Sequence, residues 1–404
     1  MSRSAHEWTA RPRLQDDEFV SSTVYTHPGI FELEQERIKR ATWKFACHES
    51  ELPTRFDFRT VEHAGYPIVL VRTEEGGIRA FINSCSHRAA TVVRAPRGNA
   101  EQWRCLFHAW TYDTRGRCIA MPRASGYEQA GLCKDGMGLR EVKVGIKLGM
   151  IFINLNDEGS PFDEYFGDAF EILEDVMGTK ELEVFHLHKT VINANWKQWF
   201  ETNMEIYHEY LHFLNRNIAM SNDEFYERRW KIYPNCHGTL TPMKQRYERV
   251  KGLGRRDERT LPGLTPGEFR VVDLFPDTTI LCRATVLRID TSNAISPNQT
   301  LVEQRGLGIK GESAEDRLIR INHHNQFWGP FGRNLPEDVV AVEAVEKSNR
   351  CGASRYGIMA RHDEMKSLDD ALMRAFYKEW SEYMGRPASN PLGALPGETN
   401  AANR

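Results

Sequence analysis

The chain has 404 residues, with 53 Lys and Arg against 56 Asp and Glu and a net charge of −3. That length predicts two or three domains with room for buried cores, and the near-balanced charge argues against nucleic acid or an anionic membrane surface as a partner. No apolar run approaches membrane-spanning length, the start Met1-Ser-Arg-Ser-Ala-His-Glu-Trp8 carries no apolar signal core, and, of the eight cysteines, the six other than Cys85 and Cys105 show no disulfide-framework spacing; a cytoplasmic protein is expected.

In chain order, residues 30–45 carry a helical pattern, with Ile30, Phe31, Leu33, Ile38 and Trp43 set among charges. From Phe56 to about Leu155 the texture changes to short β-rich runs, Tyr66–Arg72, Ile78–Asn83 and Met150–Leu155, separated by turns such as Glu74-Glu75-Gly76-Gly77. Pro161 then opens a predicted helix through about Met177. The segment 195–212 has helical character throughout. Gly252–Pro266 reads as an exposed loop, and Phe269–Asp273, Thr278–Cys282 and Ala284–Ile289 predict a second sheet. A last helix is expected over Leu368–Met384, followed by a mobile Pro- and Asn-rich tail. The fold class is therefore α+β. Three divisions are expected: an N-terminal arm and helix (1–40), a small antiparallel β domain (41–155), and a larger domain of helices around an antiparallel sheet (156–404).

Two clusters within the β domain carry chemistry. Cys85-Ser86-His87 and Cys105-Leu106-Phe107-His108 stand 17 residues apart and offer two thiolates and two imidazoles. That donor set suits an iron-sulfur cluster with unequal irons, thiolates on one and neutral ring nitrogens on the other. Two histidines in place of two thiolates remove negative charge and raise the potential. A zinc site uses the same ligand types but usually pairs Cys with Cys and His with His. Here each cluster contributes one of each, as two loops gripping a binuclear centre would.

A second site is suggested further on. On one continuous helix, Glu201, Glu205, His208 and His212 share a face. Trp199, Phe200, Met204, Ile206, Tyr207, Tyr210, Leu211, Phe213 and Leu214 make that helix apolar over most of its circumference, so it is expected to be buried. A buried polar stripe needs partners, which a metal ion would supply; a solvated polar face or a hydrogen-bonded histidine pair are the alternatives. Two histidines and a carboxylate make the facial triad of non-haem Fe(II) oxygenases. The candidate carboxylates are Glu337 and Asp338, in the first turn of a helix opened by Pro336. Acids are also common there because the helix dipole favours them.

Together these stretches resemble the large (α) subunit of the Rieske non-haem iron aromatic-ring-hydroxylating oxygenases, over roughly residues 25–385. Asn83-Ser-Cys-Ser-His-Arg88 and Cys105-Leu-Phe-His-Ala-Trp-Thr-Tyr-Asp-Thr-Arg-Gly116 look like the two loops of the Rieske domain. Asn195-Trp196-Lys197, Glu205, Tyr207 and His208 match the family's catalytic motif. The resemblance implies one [2Fe–2S] cluster on Cys85, His87, Cys105 and His108, and one mononuclear Fe(II) on His208, His212 and Asp338. It also implies that Glu205 links the iron to a cluster histidine of a neighbouring subunit, a role that competes with that of a purely structural partner for a buried histidine. Three departures stand out. Three residues rather than four separate the ligand histidines, Glu205 replaces the usual Asp, and Thr202 replaces the usual Asn. The implied partners are a reductase fed by NAD(P)H, with or without a ferredoxin, and a head-to-tail ring, either a homotrimer or an α3β3 assembly with a small β subunit. The implied activity is that of a terminal oxygenase hydroxylating or dihydroxylating a small organic substrate, on family frequency an aromatic acid. Monooxygenation of a sulfonate or quaternary amine and oxidative demethylation are the alternatives within the class. Outside it stand a Rieske electron carrier and a zinc-stabilised binding module.

Overall fold

The computed structural model describes residues 9–253, 259–362 and 365–393. The centre of the 252–266 loop and the end of the C-terminal tail lie outside the described residues. The chain divides into two compact units, Lys39–Ser160 and the remainder, so that the residues before Lys39 belong with those from Pro161 onward.

Lys39–Ser160 is built on an antiparallel sheet in the order Lys44–His48, Met150–Asn154, Glu141–Lys147, Ile78–Ile82, Tyr66–Arg72, Asp57–His63, Arg97–Asn99. The apolar run Ile68-Val-Leu-Val71 is completely buried because both faces of its strand are covered. Alternation sends Ile68 and Leu70 into a core with Ala80, Ile82 and Ile151. It sends Val69 and Val71 into a core with Trp103, Trp110, Tyr112, Cys85 and Cys105. The small sheet Gln102–Arg104, Thr111–Asp113, Cys118–Ala120 carries the second Cys/His loop between its first two strands.

The other unit holds an antiparallel sheet in the order Leu182–Ile192, Gln299–Ile309, Val286–Ser296, Thr278–Arg283, Glu268–Leu274, Gly238–Lys244, Trp230–Ile232. The three strands expected at 269–289 lie in it as successive antiparallel neighbours, except that Ala284 takes a left-handed φ of 46° and belongs to the turn before Val286. The long helices Ala314–Phe327, Asn334–Arg350 and Ala371–Met384 belong to this unit.

Three helix expectations change. The helix at 30–45 is α-helical only over Pro28–Glu34, widens to a π-turn at Gln35–Lys39, and gives way to a strand at Lys44, so Trp43 is not helical. The helix after Pro161 breaks at Gly167, whose φ of 47° excludes continued α geometry, and Pro161 caps it from outside. The helix expected across 195–212 ends at Met204. Glu205 is extended (φ −133°, ψ 148°), Tyr207–Tyr210 form one 3-10 turn, and His212 is extended again before a short helix at Phe213–Ile218. Side chains explain the break. The Glu205 carboxylate accepts from the His208 N–H at 3.1 Å, ending one helix and starting the turn as a cap does. As a result Tyr210, Leu211 and Phe213, expected to be buried, are 61%, 42% and 49% exposed.

The Asn195-Trp196-Lys197 stretch is an anchor. Asn195 caps the helix Trp196–Met204 in a capping box with Gln198, and its amide donates to the carbonyls of Tyr25 and Pro297. Lys197 meets Glu34 at 2.7 Å with both side chains fully buried. Glu34 also accepts from the indoles of Trp196 and Trp380 at 2.9 and 2.7 Å. Three donors thus satisfy one buried carboxylate, as burial requires.

Candidate metal centres

The two Cys/His loops close alike. The Ala89 and Ala109 N–H groups donate back to the carbonyls of Cys85 and Cys105 at 2.8 and 3.0 Å, and both alanines take left-handed φ of 56° and 60°. The Cys85 and Cys105 N–H groups donate to Ala90 and Trp110 carbonyls at 2.9 and 2.8 Å. Asn83 clamps the first loop, its amide donating to Val93 O and its carbonyl accepting from the Val92 and Val93 N–H groups. Both cysteines are buried and unbridged, and the His87 and His108 rings lie 4.5 Å apart. His87 stacks on Trp110 at 5.0 Å, and its Nε2 is joined to the Tyr127 hydroxyl at 3.0 Å. His87 Nδ1 is buried without a hydrogen-bond partner. The Tyr112 hydroxyl lies 3.2 Å from Cys85 Sγ and accepts from the Ser86 N–H. An orphaned ring nitrogen, a second imidazole and two buried thiols fit a mixed Cys/His iron-sulfur cluster.

In the other unit His208, His212 and Asp338 come together with one donor atom each, all within 4.8 Å of one another. His208 Nε2 and His212 Nε2 stand 3.7 and 3.2 Å from Asp338 Oδ1, a buried atom with no hydrogen-bond donor. The opposite nitrogens are held by acids: His208 Nδ1 by Glu205 at 2.8 Å and His212 Nδ1 by Glu337 at 2.8 Å. Glu337 therefore supports a histidine from behind while Asp338, one residue on, faces both rings. Burial disfavours the charged imidazole of His208. The neighbouring Glu205, with Asp338 and Glu209, outweighs that and holds its pKa up at about 10. Donors in so negative a field suit a divalent cation, and the outer carboxylates fix both rings as metal sites require. The backbone that delivers them is not the helix expected from sequence. Glu201 lies elsewhere, accepting hydrogen bonds from the Tyr25 and Tyr377 hydroxyls.

A pocket opens beside these residues, walled by Ile206, Phe269, Leu281 and Trp328 and reached by two guanidinium groups. Arg288 is paired with Asp290 at 2.6 Å. Arg283 has no ion-pair partner among the described residues. It is 1% exposed, donates to Asn215 Oδ1 at 3.3 Å, and lies over the rings of Phe327, Phe269 and Trp328 at 4.4, 5.0 and 5.1 Å. Its Nε is buried and unpartnered, and burial lowers its pKa from the ordinary guanidinium value. Sequence reading placed neither arginine. The available signal was a charged residue inside runs too apolar to be surface strands.

Residues 42–133 match the Rieske [2Fe-2S] domain, and residues 179–386 match the ring hydroxylating alpha subunit catalytic domain. Among curated proteins, the chain is 41% identical to the alpha subunit of 2-aminobenzenesulfonate 2,3-dioxygenase of Alcaligenes sp. (96% of this chain, 99% of that one). It is 35% identical to the hydroxylase alpha subunit of methanesulfonate monooxygenase of Methylosulfonomonas methylovora (96% and 97%). Among solved structures it resembles a quaternary ammonium Rieske monooxygenase (TM-score 0.76, 21% identity, 93% and 100% covered). It also resembles naphthalene 1,2-dioxygenase from Rhodococcus sp. (TM-score 0.76, 21% identity, 90% and 94% covered). Among the described residues no helix is long and apolar enough to cross a membrane. The chain belongs to the Rieske ring-hydroxylating oxygenase family as an alpha subunit, a terminal oxygenase whose cofactors are a [2Fe–2S] cluster and a mononuclear iron.

Proposed function

We propose that this oxygenase acts on a small organic sulfonate whose anionic group is received by Arg283, with His208, His212 and Asp338 holding the mononuclear iron and Cys85, His87, Cys105 and His108 the cluster. The carrying observation is the buried Arg283 guanidinium at the pocket, with no carboxylate within ion-pair distance among the described residues, although the charge of Glu209 in the same lining acts on it. A fixed fork of N–H donors backed by aromatic rings matches the oxygens of an oxyanion. Two relatives that match over nearly their whole length, at 41% and 35% identity, are named for sulfonates, whereas the anthranilate and terephthalate dioxygenase subunits match at 26–32%. That moves the expectation from an aromatic carboxylate to a sulfonate.

When bound, the cluster supplies single electrons and the mononuclear iron supplies the site at which dioxygen is activated. The chain's own residues prepare that site. Glu205 and Glu337 accept from the Nδ1–H of His208 and His212, so that each Nε2 is the nitrogen a metal would take, displacing the proton that the acidic surroundings hold on His208. Phe269, Leu281 and Trp328 line the pocket shared by the triad and Arg283, and their apolar surfaces would keep water off a bound substrate. With its anionic end fixed at Arg283, a substrate presents its remaining carbon skeleton toward the triad.

A ring of copies, either a trimer or one with a small β subunit, and a reductase as electron source belong to the same proposal. Leu106 and Phe107 at the cluster tip are 60% and 55% exposed, and Tyr210, Leu211 and Phe213 offer a second apolar surface just after Glu205. Joining these two different surfaces between copies is a heterologous contact, which generates a ring when its rotation closes. It would bring His108 of the partner subunit toward Glu205, the acid already bonded to His208.

The test is O2 uptake coupled to product with matched pairs, 2-aminobenzenesulfonate against 2-aminobenzoate and methanesulfonate against acetate. Sulfonates are expected to turn over preferentially. Arg283→Gln is expected to lower kcat/KM for them by about a hundredfold, roughly 3 kcal/mol, while leaving the cluster spectrum unchanged. Equal turnover of neutral hydrocarbons, or an unaltered kcat/KM in the variant, would overturn the reading.

A further inference from the structure

A second group of donors lies outside the iron site. His186 and His188 on the edge strand Leu182–Ile192 and His324 on the helix Ala314–Phe327 each place a ring nitrogen within 4.8 Å of the other two. His186 Nε2 and His188 Nδ1 are 3.0 Å apart, and the His186 and His324 ring centres are 4.8 Å apart.

Three features of the backbone build this arrangement. The ladder to Gln299–Ile309 slips between Val184 and His186, so a bulge at Phe185 precedes the histidines; such a bulge re-aims the side chains that follow. His186 and His188 then occupy alternate positions and share a face. Opposite His186 stands Gly306, where a Cβ would come within 2.9 Å of the His324 ring. The missing side chain is the space into which the imidazole fits.

His324 is 0% exposed, and neither of its ring nitrogens has a hydrogen-bond partner. A buried imidazole with both nitrogens orphaned is rare unless something else satisfies it. Burial keeps all three rings in the neutral form that binds metals, pulling His188 down to about 4 and His324 to about 3. The cation whose charge acts on His188 and His324, Arg288, lies one strand further along the Gly306 row, and its charge is met by Asp290.

We propose that His186, His188 and His324 form a three-histidine site for a zinc-class divalent cation, separate from the iron triad. Three neutral imidazoles without thiolate or acid select late first-row metals over magnesium or calcium. The metal would tie an edge strand to the end of a helix. The His324 carbonyl accepts from the N–H groups of Trp328 and Gly329, so that helix end also positions Trp328 in the pocket wall.

The experiment uses holoenzyme with both iron sites filled, titrated with Zn2+ against a competing chromophoric chelator, with iron and zinc counted together. One additional zinc per chain is expected, with no loss of iron. His188→Gln should weaken its binding by more than the ~10–100-fold that losing an outer-shell partner costs. The cluster absorption and iron content of that variant report that it has folded. Iron displaced one-for-one by zinc, zinc uptake unchanged in His188→Gln, or no uptake above the iron complement would each overturn the site. The outcome is independent of the sulfonate reading, because the titration contains no organic substrate.

Discussion

Replacing His212 by alanine is expected to all but abolish product formation and to leave the cluster's visible absorption intact. His212 is 2% exposed, its Nε2 faces Asp338 at 3.2 Å, and its Nδ1 is held by Glu337. Alanine removes a donor from a triad in which every protein ligand counts, since such centres keep their other positions open for chemistry. Coupled turnover should fall by about a thousandfold or more, because the activation step depends on a bound metal rather than on binding energy alone. The mononuclear iron should be lost while the cluster iron remains. The cluster loops belong to the separately packed unit Lys39–Ser160, so their reduction by dithionite should match the parent protein. Retained product formation would refute the ligand assignment. Lost cluster absorption would instead show a general failure to fold.

Glu34→Ala should produce the largest loss of stability. The change leaves the Lys197 ammonium without its partner at a position of 0% exposure, and strips the acceptor from two buried indoles. Breaking one partner of a buried pair costs about 3–5 kcal/mol, and each orphaned donor adds about 1 kcal/mol or more. Urea or guanidinium unfolding should show a midpoint lowered accordingly for this unit, with the other unit's transition little changed. A companion double variant, Glu34→Gln with Lys197→Met, removes the stranded charge and should recover a substantial part of the loss. If the single variant unfolds like the parent protein, the pair contributes nothing and the anchoring role of Lys197 is wrong.

Sequence alone carried the two metal centres further than it carried the backbone that builds them. Cys85, His87, Cys105 and His108 could be read because their chemistry is local, two short clusters whose spacing is almost the whole signal. His208 and His212 were read through a helical period, and both meet Asp338, yet the helix itself is absent there. The reason is a side-chain bond, Glu205 to the His208 N–H, which competes with the helical ladder and has no period to detect. The same break explains why Tyr210, Leu211 and Phe213 emerge at the surface. Choosing between Glu337 and Asp338 needed the direction of two adjacent side chains, which composition cannot supply. Arg283 and the His186–His188–His324 group were invisible for a different reason. The histidine group depends on a bulge and on a glycine across the ladder, and Arg283 on which strands and rings its strand packs against, all long-range facts.

On the proposed reading, the buried guanidinium of Arg283 makes the pocket an ion trap. A positive charge walled in by rings would recruit whatever small oxyanion the solution offers, so inorganic sulfate or phosphate would compete with a sulfonate for the same fork. Apparent affinity should therefore track the identity of the buffer anion more than ionic strength, since shielding by bulk salt reaches a buried charge only weakly. Kinetics recorded in sulfate-free zwitterionic buffer and in ammonium sulfate would describe two differently loaded proteins.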